Sequence, residues 1–344
     1  MGAGVPRHSS AIAERAEAQG WDGLLMVDSQ NLVGDCFIGL AMAARATSTL
    51  KLGTGVTNPW TRHPAVTASA IATVQAESDG RAVLGIGRGD SALAHLGLAP
   101  APLGTFRRFL EHLQGYLRGE DVQLDASSSI DRLGLAGAPA TSRLHWLRPS
   151  LPKVPVDVAA SGPKVIALGA TIGDRVTFAV GARPERVTWA LDTARAARES
   201  AGLDPAALSA GAYVNCVVHD DPAVARKLGE GGLASFARFS VMDGTISGPV
   251  SGEERDVLSR VHAAYDMNVH TQAGTPQAAA LTEEFADGFG VFGSADHCVS
   301  RLREIAALGI DRLVIIGTSI GANRDEAARA SQRFTNEVLP ALHD

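Results

Sequence analysis

At 344 residues the chain exceeds the usual single-domain size, although α/β barrels run past about 250 residues as one domain. It is 45% apolar and 20% charged and holds no apolar run of about 18 residues, which argues against a helical membrane protein. Net charge is −6 with both signs interspersed, so there is no basic footprint for a nucleic-acid backbone.

In chain order, residues 2 to 6, GAGVP, are too few for a convincing first strand, although the pattern that follows expects one; that strand is short or missing. The N-terminus lacks the apolar core of a signal peptide, and the cysteines Cys36, Cys216 and Cys298 form no CxxC pair, so a reducing cytoplasm is the expected location. From Ser10, read as an N-cap, a helix runs to Gly20 and leads into the apolar strand LLMV, which ends at Asp28. A helix from Asp35 to Ala46 is followed by the strand KLGTGV, a helix opening at Pro64, and the strand AVLGI ending at Gly87. Phe106, Phe109, Leu110, Leu113 and Leu117 recur at helical spacing and give the clearest periodic signal.

Residues 119 to 153 have no strong period and read as an excursion of loop and short strands. Alternation resumes with VPVDVAA, a helix from Pro163, RVTFAV, a helix from Pro184 and LSAGAYVNCVV. Residues 221 to 290 read as a larger insertion, with helical segments around Gly-rich breaks such as GEGG at 229 to 232. A helix, the strand LVIIG and a terminal helix complete the chain. The phrase helix, glycine, Asp, buried strand recurs at Asp22, Asp174 and Asp311. Parallel, doubly covered strands in such a repeat mean a doubly wound sheet or a (β/α)8 barrel, and a count of eight strands favours one barrel domain over residues 1–344.

Four turns carry chemistry. Asp28 and His63, the latter beside Arg62, lie at strand ends where barrel sites form, and both are candidate catalytic groups beside their ordinary reading as caps. GIGRGD at 85 to 90 lacks the immediate helix of a dinucleotide fingerprint and reads as a loop needing φ > 0. Ser161, Gly162, Pro163 and Lys164 open a helix with a hydroxyl, backbone N–H groups and an ammonium, which suits phosphate. GTSIG at 317 to 321 matches a hydrolase nucleophile elbow around Ser319, but only His343 follows it. The ten histidines form no HExxH or HxH, so no metal site is expected. Trp60, Trp146, Phe236 and Phe239 are candidates for an apolar wall under the two insertions.

TGVTNPWTRHPAVTASAIATVQAESDGRAVLGIGRGDS followed by TFRRFLEHL resembles the luciferase-like superfamily of flavin and F420 enzymes, nearest to its methylenetetrahydromethanopterin reductase-like branch. AASGPK at 159 to 164, GDRV at 173 to 176 and FGSADHCVSRLREIAALGIDRLVIIG extend the likeness. The resemblance implies a luciferase-like TIM-type barrel that is usually a homodimer. It also implies a non-prolyl cis peptide at Gly55-Val56 behind the ring of F420 or FMN, phosphate contacts at Ser161, Gly162 and Lys164, and ring or ribityl contacts near Asn58, Gly87 and Asp90. The activity it implies is hydride transfer between F420 and a small imine, enone or carbonyl. Alternatives are an FMN-dependent two-component monooxygenase fed by a separate reductase, or an inactive binding barrel. Several F420-dependent relatives have Asp-His where this chain has Asp28-Ser29, which leaves Asp28 or His63 as the candidate proton donor.

Overall fold

A computed structural model describes residues 5–124 and 129–343, and these divide into two compact units. The first comprises residues up to Glu17 together with Asp22–Val156, and the second comprises Ala18–Trp21 and Asp157 onward.

In the first unit, β1 (Gly23–Met26), β2 (Lys51–Thr54) and β3 (Ala82–Ile86) are parallel, with Gly23 opposite Lys51 and Leu52 opposite Ala82. Each strand is followed by helix: α1 (Ser9–Ala18) precedes β1, and α2 (Cys36–Ala46), α3 (Pro64–Glu77) and α4 (Leu103–Arg118) follow the three strands in turn. Asp35 starts α2 by accepting the N–H groups of Phe37 and Ile38, and Pro64 supplies the first turn of α3. Phe106, Phe109, Leu110, Leu113 and Leu117 of α4 are all buried, which is the stripe that the spacing predicts. Ser10 is not the cap of α1. The helix runs on from a 3-10 turn at Pro6–His8, and the Ser10 hydroxyl donates to the Met42 carbonyl. The excursion after α4 is a two-residue antiparallel ladder, Val122–Gln123 with Thr141–Ser142, a 3-10 turn at Ser129–Leu133 and loop; residues 125 to 128 lie outside the described residues.

In the second unit, β4 (Val156–Ala160), β5 (Arg175–Phe178) and the nine-residue β6 (Ala210–Val218) are parallel. β6 then pairs with β8 (Arg312–Ile316) along its first half and with β7 (Val291–Gly293) along its end. The helices are α5 (Pro163–Ile172), α6 (Pro184–Ser200), α7 (Pro222–Phe239), α8 (Gly252–Ala264), α9 (Glu283–Phe289), α10 (Ala295–Ala307) and α11 (Arg324–Arg333). Val176, Phe178, Val214, Val291, Leu302 and Ile305 belong to one buried cluster.

Two expectations change here. The eighth parallel strand is not GAGVP, of which residues 2 to 4 lie outside the described residues and Val5 precedes the 3-10 turn; it is VFG at 291 to 293, too short to show a period. GEGG does not break a helix, because α7 runs through it. A Cβ on Gly229 would lie 2.4 Å from the Phe292 ring, and one on Gly231 would lie 2.3 Å from the Gln272 carbonyl oxygen. Glycine is required there for close approach rather than for a turn. Among the described residues no helix is long and apolar enough to cross a membrane.

Candidate functional site

The loops after β1, β2 and β3 in the first unit gather most of the expected residues. Thr54 ends β2, and the Gly55-Val56 peptide bond just beyond it is cis, the isomer that the resemblance implies there. The chain is held on both sides of it: Gly55 N–H donates to the Met26 carbonyl, Thr57 N–H to Gly85 and Gly87 N–H to Thr57. Gly85 has no room for a side chain, since its Cβ would lie 2.1 Å from the Thr54 carbonyl oxygen. Gly89, at φ +93°, gives the GIGRGD loop the left-handed residue expected of it. Asp90 follows it and precedes a four-residue helix, Ser91–Ala94, that opens directly after the glycines, where the sequence pattern predicts no immediate helix.

Asn58 is 1% exposed. Its Oδ1 accepts the N–H groups of Trp60 and Thr61 and so folds the turn, while its Nδ2 is buried with no hydrogen-bond partner. An unmade hydrogen bond at a buried amide costs about 1–3 kcal/mol, so a buried donor of this kind fits a ligand carbonyl or ring nitrogen. The neighbouring Thr57 hydroxyl is likewise buried and unpartnered.

Asp28 is 2% exposed. Oδ1 accepts from Gln30 Nε2 and Oδ2 from Arg62 Nη1, each at 2.6 Å. Arg62 also reaches Asp35 at 3.0 Å and lies over the Phe37 ring, 4.8 Å from its centroid. Burial disfavours the Arg62 charge, but hydrogen bonds and attraction from Asp28 and Asp35 outweigh it, and its pKa is raised. Asp35 is lowered: burial opposes its charge, and the Ile38 and Phe37 N–H groups with Arg62 prevail. Burial, followed by the nearby Asp28 charge, pushes the Cys36 thiol up. His63 is exposed, and its Nδ1 accepts the Ala65 N–H at 3.2 Å as the N-cap of α3.

In the sequence Arg62 stands out only as a neighbour of His63, and Gln30 and Asp35 carry no signal for this network. Two loops supply it, the one after β1 with Asp28, Gln30 and Asp35 and the one after β2 with Arg62, so the only trace in the sequence is one arginine among loop carboxylates.

In the second unit, Gly162 is the N-cap residue of α5 without a side-chain cap; Ser161 is half-buried and Lys164 exposed. Ser319 does not present a nucleophile. Its hydroxyl oxygen accepts the N–H groups of Gly231 and Gly232, and its own N–H donates to the Leu228 carbonyl, so GTSIG fastens α7. Phe236 packs edge-on against Phe239, whereas Trp60 and Trp146, in the first unit, are exposed. Among the described residues no cluster of His, Cys, Asp and Glu is arranged to hold a metal.

A family model described as luciferase-like monooxygenase matches residues 1–312. A 5,10-methylenetetrahydromethanopterin reductase of Methanolobus tindarius is 29% identical over 321 residues, covering 92% of each chain. An F420-dependent glucose-6-phosphate dehydrogenase of Beutenbergia cavernae is 28% identical over 352 residues, covering 98% of this chain and 94% of that one. The solved coenzyme F420 dependent tetrahydromethanopterin reductase of Methanopyrus kandleri superposes with a TM-score of 0.72 at 22% identity, over 99% of both chains. That likeness identifies the fold class as an α/β, TIM-type barrel.

Proposed function

Because the chain belongs to the luciferase-like monooxygenase family and is an oxidoreductase of that class, we propose that it transfers hydride between coenzyme F420 and a small organic electrophile. The sequence relatives support the cofactor, since those named above are an F420-dependent dehydrogenase and a reductase aligned over nearly its whole length. F420, when bound, supplies a ring carbon that gives or accepts hydride.

On this reading the backbone at Gly55, Val56 and Gly87 supports the ring, the Asn58 amide donates to its edge, and Asp90 meets the ribityl chain. Ser161, Gly162 and Lys164 contact the phosphate through a hydroxyl, an N–H group and an ammonium. Asp28, with both oxygens already accepting, fixes Arg62 and Gln30 at the rim. The observation that carries the assignment to these loops is the buried, unpartnered Nδ2 of Asn58.

Titrating the purified protein with F420 and with FMN, each oxidised and reduced, tests the proposal. F420 is expected to bind, and Asn58→Ala to weaken that binding by about tenfold, the worth of one hydrogen bond to a buried donor. Lys164→Ala is expected to weaken it similarly without changing stability. Binding of FMN alone would replace this reading with the two-component monooxygenase.

We also infer a homodimer, supported by Ile38 and Val66, which stand 58% and 55% exposed on α2 and α3. A reducing compartment accords with three free, buried cysteines. Light scattering would test the first.

A further inference from the structure

Hydride addition to a carbonyl leaves negative charge on oxygen, so the group that meets that oxygen decides which electrophiles react. Asp28 cannot be that group in the arrangement seen. Both of its oxygens accept from donors already in place, and the side chain is 1% exposed. The residue after it is Ser29, 5% exposed.

His63 is the opposite case. It closes the loop that starts at Gly55, and its ring is exposed. Nδ1 accepts the Ala65 N–H, so its lone pair is committed to the start of α3. A neutral imidazole carries one proton, and here that proton sits on Nε2. Capping the helix therefore sets the tautomer and turns a donor away from the helix.

We propose that the His63 Nε2–H group hydrogen-bonds the oxygen of the electrophile, and that the electrophile is a ketone or an enone rather than an iminium ion. The proposal rests on the hydride-transfer reading above. A C–H bond forms at the carbonyl carbon, or at the β-carbon of an enone, and the π pair moves to oxygen, with a reduced deazaflavin as the two-electron source. His63 stabilises the charge that gathers on that oxygen, and the proton that ends there comes from water, which reaches the exposed ring. An iminium carbon starts cationic and ends as a neutral amine. It develops no anion for a donor to meet.

Nitrogen-15 NMR of the histidine-labelled protein reads the tautomer without any cofactor. A neutral His63 protonated at Nε2 is expected; protonation at Nδ1, or averaging between the two, overturns the proposal. The second arm is His63→Asn, whose side-chain oxygen keeps the cap. With reduced F420 and a cyclic enone or ketone, turnover is expected to fall about 100-fold. F420 affinity should stay within about twofold, and the melting temperature should change by less than about 2 °C. Turnover unchanged in His63→Asn overturns the proposal, as does a wild-type enzyme that reduces a cyclic iminium but neither enone nor ketone; in both cases F420 dependence stands. A wild-type protein that does not bind F420 overturns the underlying reading and this inference with it.

Discussion

Two arginines, one in each unit, are held away from water by different means. Arg62 sits between two carboxylates, Asp28 and Asp35, and its charge is compensated. Arg186 is 1% exposed and donates only to neutral acceptors: the Val180 carbonyl at 2.6 Å, the Ser240 hydroxyl at 2.8 Å, and the Pro249 and Ser247 carbonyls at 2.9 and 3.1 Å. Burial pulls its pKa down to about 10, while Glu254 at longer range pulls the other way. Both guanidiniums lie over phenyl rings, Phe37 and Phe289. The difference separates two uses of one side chain. Arg186 is a staple whose directional donors set the path of the 240 to 249 loop. Arg62 is part of a charge network at the strand ends, where the proposed chemistry needs fixed electrostatics.

Replacing Arg186 by Met leaves four acceptors without their donor, of which the Val180 carbonyl and the Ser240 hydroxyl are buried, and should cost about 3 kcal/mol, read from the urea midpoint. A loss under about 1 kcal/mol would mean that water satisfies those acceptors, and the contrast with Arg62 would vanish. Arg62→Met strands the buried Asp28 charge and should cost about 3 kcal/mol. Adding Asp28→Asn to the same chain should recover about half of it, so the double-mutant cycle gives a coupling of at least about 1.5 kcal/mol. The pair of Arg186 with Ser240, in the same kind of cycle, should couple more weakly.

A steric test comes next in size. Gly231→Ala should cost about 2 kcal/mol despite the better helix propensity of alanine, because the new Cβ meets the Gln272 backbone. Gly252→Ala, with nothing within 4 Å, should leave the melting temperature nearly unchanged or raise it.

The smallest effect is expected at Glu17, an anion held by neutral donors, the mirror case of Arg186. Its Oε1 accepts the N–H groups of Ser48, Thr49 and Leu50. The Thr49 and Leu50 N–H groups foremost lower its pKa from 4.5 to about 2. The folded-state value lies below the unfolded one, so the stabilisation is complete above about pH 4.5 and is lost as pH falls towards 2. Glu17→Gln should flatten the stability profile between those limits; an unchanged acid limb would remove Glu17 from it.

How much was legible follows the range of the signal. The α4 stripe, the proline starts of α3, α5 and α6, and the Gly-Asp approaches to strands are local patterns, and the chain order displays them. β7 escaped because three buried residues carry no period, and GEGG misled because the same residue serves turns and close contacts. At the site, Asp28 and His63 stood out as loop residues at strand ends, but their hydrogen-bonding states did not. Whether Asp28 has a free oxygen depends on Arg62, 34 residues away, and whether His63 turns a proton outward depends on the start of α3.

The linear chain by itself determined the alternation of strand and helix, the glycine turns and the residue types offered at the strand ends, because propensity, periodicity and steric freedom act over a few residues. Tertiary structure alone decided which charges meet, which buried amide is left without a partner, and which glycines are pressed against backbone. Those outcomes depend on distances between segments far apart in the chain, and no local pattern encodes such distances.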